Sequence, residues 1–564
     1  MGTGYPARDE SRLTGVRARI VILALAAGIA LADGSIVTLA LPEILSDLDT
    51  TVEGVAAVIG VYTVVLAVAL LPLERAATAF SVRAIGAGGL ALMGVASVAC
   101  AGADDLTGLL IARGAQALGG AAGLVAVFAV LGGDPERGGR LWLGAAVLGT
   151  AVGPALGGAL TELFTWRAIF VFQAPIAGLA ALAAIVGPAP PRLVSPEHAE
   201  PFAWRPALAL GLVSAALSAV LFLLVLLLVA GWSVSPIGAA AAVTVIPIAA
   251  ALGTRVRGDA QLRAATGSAL VAAGVLAVAW LPDAQVAWTI LPQALAGLGM
   301  GMALTALAGG LLPEHTAHDV ARTLAVRHAG IALALVALAP VVADQLESAT
   351  QRAREQGVAL VLDARLDPRA KIALAPALLR GVNEQDPRDG LRRAVRAERG
   401  RFSGRELAEY DRLGRRADET VTAAVADGFQ EAFLITGALA VIAALVVVPW
   451  PRARRFAPAL AASALVAVAA PAAYAALHAR IGPDPVRLLD PCTAERRAPG
   501  TGGLTGFLQD QALRLLDQTA CRLGSTREEL VLALTSDADA RRFKERHGVD
   551  PRTVGGLLRA LLGG

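Results

Sequence analysis

Two side chains in this 564-residue chain are costly where they stand. Asp33 lies in the run LADGSIVTLALPEI, inside an apolar stretch from about Ile20 to Pro42, and Arg113 lies in LLIARGAQALGGAA. A carboxylate among apolar helix residues should face the interior and be either paired or protonated. Arginine does not give up its proton, so it needs an anion or solvent. If the two stretches cross a membrane in opposite directions, a rise of about 1.5 Å per residue puts Asp33 roughly 13 Å and Arg113 roughly 9 Å below the same surface. The two are therefore able to meet. Such a pair can fix the packing of two helices, or it can be an acid whose proton affinity a permanent cation sets; a third reading makes Asp33 a polar hinge bonded to a neighbour.

Other polar groups in apolar runs are fewer. Gln116, Gln173, Gln293 and Tyr62 are candidates for the lining of a cavity. Arg327 and His328 come early in their run, where a long side chain snorkels to the nearby surface. His328 is also a candidate second proton site, because imidazole titrates near neutral pH.

The elements that would hold these groups are long apolar helices. Hydrophobic residues make up 56% of the chain against 17% charged, with a mean hydropathy of +0.62. That much apolar sequence exceeds what soluble cores absorb and indicates an all-α polytopic membrane protein. The net charge is only +3, with basic residues scattered in short loops, which argues against a nucleic-acid surface. Lys371 and Lys544 are the only lysines, an arginine bias that reads as high-GC bacterial codon usage. Runs long enough to span lie near 20–42, 53–73, 84–102, 107–131, 141–161, 168–188, 207–231, 234–253, 265–281, 286–312, 322–343, 430–449 and 457–478, about thirteen in all. Arginines fall in alternate loops, at Arg75 and Arg83, Arg137 and Arg140, Arg192 and Arg205, Arg255, Arg257 and Arg263, Arg322 and Arg327, and Arg452, Arg454 and Arg455. This bias sets the N-terminus inside and, after thirteen crossings, the C-terminus outside.

Two stretches are too polar to span. The first, 345–429, is expected to form a small helical cap. The second is the tail from 479 to 564, with a capping box from Ser525 to Glu528. The tail holds Cys492 and Cys521, which an oxidising compartment would allow to bridge; spacing alone leaves two unpaired thiols as the other reading. No metal site is expected, since only His478 and His547 are nearby. The fifth run contains GTAVGPALGG. Gly149, Gly153 and Gly157 share one helix face at a spacing of four, with Gly158 beside it, which allows close backbone approach, and Pro154 gives a bend. There is no GxxxxGK[ST], HExxH or GxSxG, so ATP drive and the common hydrolase chemistries have no motif here.

Several of these runs resemble the drug:proton antiporters of the major facilitator superfamily. The segment with Gly149, Gly153, Pro154, Gly157 and Gly158 is similar to the antiporter motif of the family's fifth helix. Asp33 with Ala40, Leu41 and Pro42 resembles the first-helix motif, although Ser35 and Thr38 replace its usual threonine and asparagine. Arg113, Gln116 and Gly119 match the fourth-helix pattern associated with proton coupling. Trp166, Arg167, Phe170 and Pro175 resemble the opening of the sixth helix, where Trp166 is equally explained as an interfacial anchor. Gly297, Gly299 and Gly301, and RHAG from Arg327, are weaker echoes in the second half. One departure is large: in LERAATAFSVRAIG, Glu74 and Thr78 stand where the family has the glycine and acid of its interdomain latch, so either another contact replaces the latch, such as Glu74 with Arg75 or Arg83, or the protein no longer cycles.

The resemblance covers about residues 18–450 and implies the major facilitator fold. That is an N-terminal six-helix bundle (1–188), a cytoplasmic linker (189–206) and a second six-helix bundle (207–344 and 430–450). An extracytoplasmic insert (345–429), one extra membrane helix (457–478) and an extracytoplasmic tail (479–564) complete the chain. It also implies a monomeric multi-pass protein of the inner membrane that exports small amphiphilic or cationic molecules in exchange for protons by alternating access. Asp33 would take the proton and Arg113 would set its affinity. No cofactor or nucleic acid is implied, and the partners are substrate, protons and the bilayer. The alternatives are a facilitator-fold scaffold or sensor that does not transport, and a lipid or glycolipid carrier.

Overall fold

The computed structural model describes residues 8–131, 152–186, 203–308, 310–312, 316–368, 371, 387–482, 486–493, 499–500 and 503–553. Its elements are helices: α1 (Arg8–Thr38), α2 (Leu41–Asp47), α3 (Val52–Ala79), α4 (Val82–Ala101), α5 (Leu106–Leu131), α6 (152–163), α7 (Arg167–Val186) and α8 (Trp204–Leu226). There follow α9 (Pro236–Val243), α10 (Val245–Gly253), α11 (Ala260–Val278), α12 (Ala287–Leu307) and α13 (Ala317–Asp363). The chain continues with α14 (Pro387–Glu398), α15 (Gly404–Val447), α16 (Ala457–Ile481), α17 (Gly503–Arg522), α18 (Arg527–Thr535) and α19 (Asp537–His547). No β-strand occurs among the described residues. Hydroxyl and carboxylate caps start several of them: Thr51 accepts from Gly54 N, Ser235 from Gly238 N ahead of Pro236, and Asp259 from Leu262 N.

Twelve helices among the described residues are long and apolar enough to cross a membrane, and they coincide with twelve of the thirteen apolar runs. The remaining run is the fifth, whose described part is α6; Gly149 lies outside the described residues. Large apolar side chains such as Val68, Val95, Ile111 and Leu333 are exposed around the bundle, as expected where the surrounding solvent is hydrocarbon. Small residues hold its interior. On α12, Gly297 and Gly301 approach the backbone of α10, while Gly299, half a turn away, approaches Gly267 on α11. Alternating glycines thus let one helix touch two neighbours.

The chain divides into two compact units. The first comprises 1–229, 234–343 and 430–480 and holds the membrane helices. The second comprises 230–233, 344–429 and 481–564, so the insert and the tail, which read as separate segments, fold together. Within it Arg354 pairs with Asp539 at 2.8 Å, Arg527 with Asp363 at 2.8 Å, and Gln356 donates to Val486 O at 3.2 Å. Ala520, Leu530, Ala533 and Phe543 form a small core of α17, α18 and α19. Cys492 and Cys521 are joined by a disulfide. Insert and tail are separated by two spanning helices, α15 and α16, and an even number of crossings returns the chain to the side it left.

Candidate functional site

Asp33 on α1 and Arg113 on α5 are completely buried and paired at 2.6 Å. The guanidinium is used on all its edges. Nη2 donates to Asp33 Oδ2, Nη1 to Gln116 Oε1 at 2.6 Å, and Nε to Val58 O of α3 at 3.1 Å. Its faces lie 4.4 Å from the ring centre of Tyr62 and 5.6 Å from that of Phe170. The second carboxylate oxygen, Asp33 Oδ1, accepts from Gln173 Nε2 at 3.0 Å, and Gln116 Nε2 donates to Gln173 Oε1 at 2.7 Å and to Ser97 Oγ at 2.9 Å. Asp33, Arg113, Gln116 and Gln173 therefore close a ring of hydrogen bonds across α1, α5 and α7, with Ser97 of α4 attached. Burial of two charges is tolerable only with such complete bonding.

A cavity of about 110 Å3 lies beside this ring, between the first and second helical bundles. Tyr62 belongs to both places: its ring packs on Arg113, its hydroxyl donates to Ala30 O at 2.9 Å, and it lines the cavity. Ala30, Leu31 and Gly34 also line it, so the turn of α1 that carries Asp33 forms one wall. Gln116 and Gln173 are instead committed to the ring and are not among the lining residues. Gln293 is buried elsewhere and donates to Thr289 Oγ1 at 2.8 Å. On the opposite wall stand Arg327 and His328, which the sequence alone would have sent toward the surface. The buried His328 donates Nδ1–H to Leu324 O at 2.7 Å, leaving Nε2 for other use.

The glycine seam of α6 reaches two partners. A Cβ on Gly153 would strike Ser35, and one on Gly157 would strike the backbone of Ile36, so α6 lies directly against α1 one turn from Asp33. Gly158 faces the other way, onto Pro236 and Ala240 of α9, and Glu162 accepts from Ile237 N at 2.8 Å, capping that helix. Pro154 lines the cavity. The Trp-Arg pair joins α2 to the start of α7: Trp166 Nε1 donates to Asp47 at 2.9 Å, Trp166 N to Glu43 at 3.1 Å, and Arg167 pairs with Asp47 at 2.6 Å. These hydrogen bonds hold the Asp47 carboxyl below its usual range, while burial raises that of Glu43.

At the end of α3, Glu74 is buried and meets His318 Nδ1, at the start of α13, at 3.0 Å. This contact between the bundles, 244 residues apart in sequence, was not foreseen; the local neighbours Arg75 and Arg83 were the expected partners.

With this geometry in hand, the known proteins are informative. The family model described as Major Facilitator Superfamily matches residues 23–343, more than half of the chain. The chain belongs to the major facilitator superfamily. Among its facilitator relatives, multidrug resistance protein Stp of Mycobacterium tuberculosis is 32% identical over 153 residues, 26% of this chain and 28% of that protein. Puromycin resistance protein pur8 of Streptomyces alboniger is 36% identical over 169 residues, 29% and 34% of the two chains. The uncharacterized transporter YebQ of Escherichia coli is 30% identical over 208 residues, 35% and 45%. The matched segments thus span less than half the length of these relatives. A bacterial homolog of the human lysosomal transporter Spinster, solved inward-facing and unoccupied, shares the fold with a TM-score of 0.55 at 16% identity, over 78% of this chain and 98% of that one. The family match and the spanning helices together make this chain a multi-pass membrane protein of the facilitator family.

Proposed function

We propose that the protein exports a small amphiphilic molecule across the inner membrane in exchange for protons, working as a monomer by alternating access, with its N-terminus in the cytoplasm and its C-terminal tail outside. The observation that carries this reading is the fully bonded Asp33–Arg113 ring beside a cavity with which it shares Tyr62. Protonating Asp33 removes the charge that holds Nη2 of Arg113 and loosens α1 against α5 and α7. Because the same turn of α1 lines the cavity, a change of protonation is felt by whatever occupies it, and an occupant that moves Tyr62 is felt by Arg113. That mutual dependence is the physical requirement for exchange.

Two further contacts support cycling. The Glu74–His318 bridge joins the bundles where the family's latch has lost its usual residues, so we assign it the latch's role. The glycine faces of α6 give one helix flat contact with both α1 and α9, across which the bundles can rock. The relatives named for drug resistance support export of a foreign small molecule rather than uptake of a nutrient.

The test is transport in proteoliposomes. Purified protein under an imposed proton gradient should move a fluorescent amphiphile, and Asp33→Asn should abolish dependence on the gradient while retaining binding. If the protein carries nothing across a broad panel while remaining folded, the scaffold reading takes its place.

A further inference from the structure

The cavity carries a charge that the ring does not account for. Among the described residues its lining holds no carboxylate, and Arg327 and His328 are its basic groups. Arg327 makes no ion pair or side-chain hydrogen bond among the described residues, and its Nε is buried without a partner. Ser214, also on the cavity wall and 3% exposed, has a hydroxyl in the same condition. The two sit on helices that touch backbone to backbone, since a Cβ on Gly330 of α13 would strike Gly211 of α8. Ser214 is one turn from Gly211 and Arg327 one turn from Gly330, so both donors flank a single crossing. The remaining wall is apolar, with Leu217, Leu221, Ile246 and Ile331.

A permanent cation buried among membrane helices is strongly disfavoured unless an anion or water meets it. Arg113 shows how this chain meets such a charge when the partner is internal: each of its three nitrogens donates a hydrogen bond. Arg327 has no such counterpart among the described residues, and neither its Nε nor the Ser214 hydroxyl finds an acceptor there. We infer that the substrate brings the anion: this cavity binds amphiphilic acids, with a carboxylate or phosphate headgroup taken by the Arg327 guanidinium and the Ser214 hydroxyl and an apolar body lying along α8 and α10. A cationic substrate would face Arg327 across a low-dielectric space with no carboxylate to offset it. The inference rests on the transporter reading above and narrows its substrate from amphiphiles in general to acids. A cavity of about 110 Å3 is below the roughly 300–1,000 Å3 of drug-sized sites; it admits the headgroup and first part of the body, and the remainder requires the bundles to part.

The experiment uses the full chain and three probes with one body: a dansyl-tagged long-chain fatty acid, its methyl ester and the matching primary amine. The wild type should bind the acid about tenfold more tightly than the amine, with the ester between them. Arg327→Gln should remove the preference of acid over amine, Arg327→Lys should keep the order, and Ser214→Ala should weaken binding of the acid. Equal or tighter binding of the amine by the wild type, or an acid preference that survives in Arg327→Gln, overturns the inference. Should Arg327→Gln fail to fold, as loss of a monodisperse gel-filtration peak would reveal, the wild-type order and Arg327→Lys decide. Repeating acid binding in phosphatidylcholine vesicles with and without phosphatidylglycerol identifies the source of the headgroup: displacement by the anionic lipid makes it a lipid, and no displacement makes it a soluble acid. Acid that binds through Arg327 but is not moved under a proton gradient upholds the site and refutes transport, whereas movement without charge preference does the reverse.

Discussion

Asp33 and Arg113 do not depend on each other equally. Without Asp33, the guanidinium keeps Val58 O, Gln116 Oε1 and the face of Tyr62. Without Arg113, a carboxylate is left in the core with Gln173 as its remaining hydrogen-bond donor among the described residues. Arg113→Ala is therefore expected to cost about 3–5 kcal/mol and Asp33→Asn clearly less. Thermal unfolding in detergent should rank wild type above Asp33→Asn and Asp33→Asn above Arg113→Ala, although both variants lose proton-driven exchange. The pairing was legible from the sequence, because depth along two opposed helices follows from counting residues. Direction around a helix does not follow from counting. That is why Gln116 and Gln173 were assigned to a cavity and lie instead within the ring, and why Arg327 was assigned to a surface and lies instead on the cavity wall.

Helices in this bundle meet through positions that lack a side chain, and those positions make sharp tests. Gly157 admits no Cβ because the carbonyl of Ile36 occupies its place, whereas Gly178 on α7 has open space there. Gly157→Ala should destabilise by roughly 1–3 kcal/mol, measured by thermal unfolding, and reduce transport, while Gly178→Ala should be neutral or slightly stabilising, since alanine is the better helix former. The GxxxG spacing announced a packed face, yet its partners, α1 for one face and α9 for the other, are facts of tertiary structure. The link between the end of α3 and the start of α13 was equally hidden. Glu74 and His318 are chemically suited to each other, but nothing local joins them. Glu74→Gln and His318→Ala should each raise the rate at which a thiol reagent labels a cysteine placed behind this contact, and unchanged labelling would remove it as a latch.

Over the whole molecule, the apolar runs announced the spanning helices because hydrocarbon demands about twenty apolar residues for each crossing. The union of insert and tail left no such trace, as it is made by pairs like Arg354–Asp539 and Arg527–Asp363 between distant segments. Charge should make this second unit sensitive to pH in two windows. Burial alone would raise the Asp418 carboxyl, but Arg388 and Arg392 outweigh it and hold its pKa below the usual value. The stability this gives is present above about pH 4 and is lost as pH falls through the lowered value. Lys371 is pushed down to about 8 by burial, so stability should rise between about pH 8 and pH 10.4, where the unfolded chain still binds that proton. Hydrogen exchange of α14 and the early part of α15 across both windows checks the signs. Replacing Cys492 and Cys521 by serine should cost about 3 kcal/mol in the same unit, and a membrane-impermeant thiol reagent should reach them from outside intact cells once the bridge is reduced.

The last hydrophobic helix, α16, contributes little to the bundle. Tyr474 is its one buried residue, held through its hydroxyl to Trp288 O at 2.9 Å. Its consequence lies in biosynthesis. On the proposed topology, a chain that fails to thread this segment leaves its final domain in the wrong compartment, away from the half it must join, so closure of the bridge becomes a checkpoint on correct membrane insertion, and an unbridged population would report mis-threaded molecules.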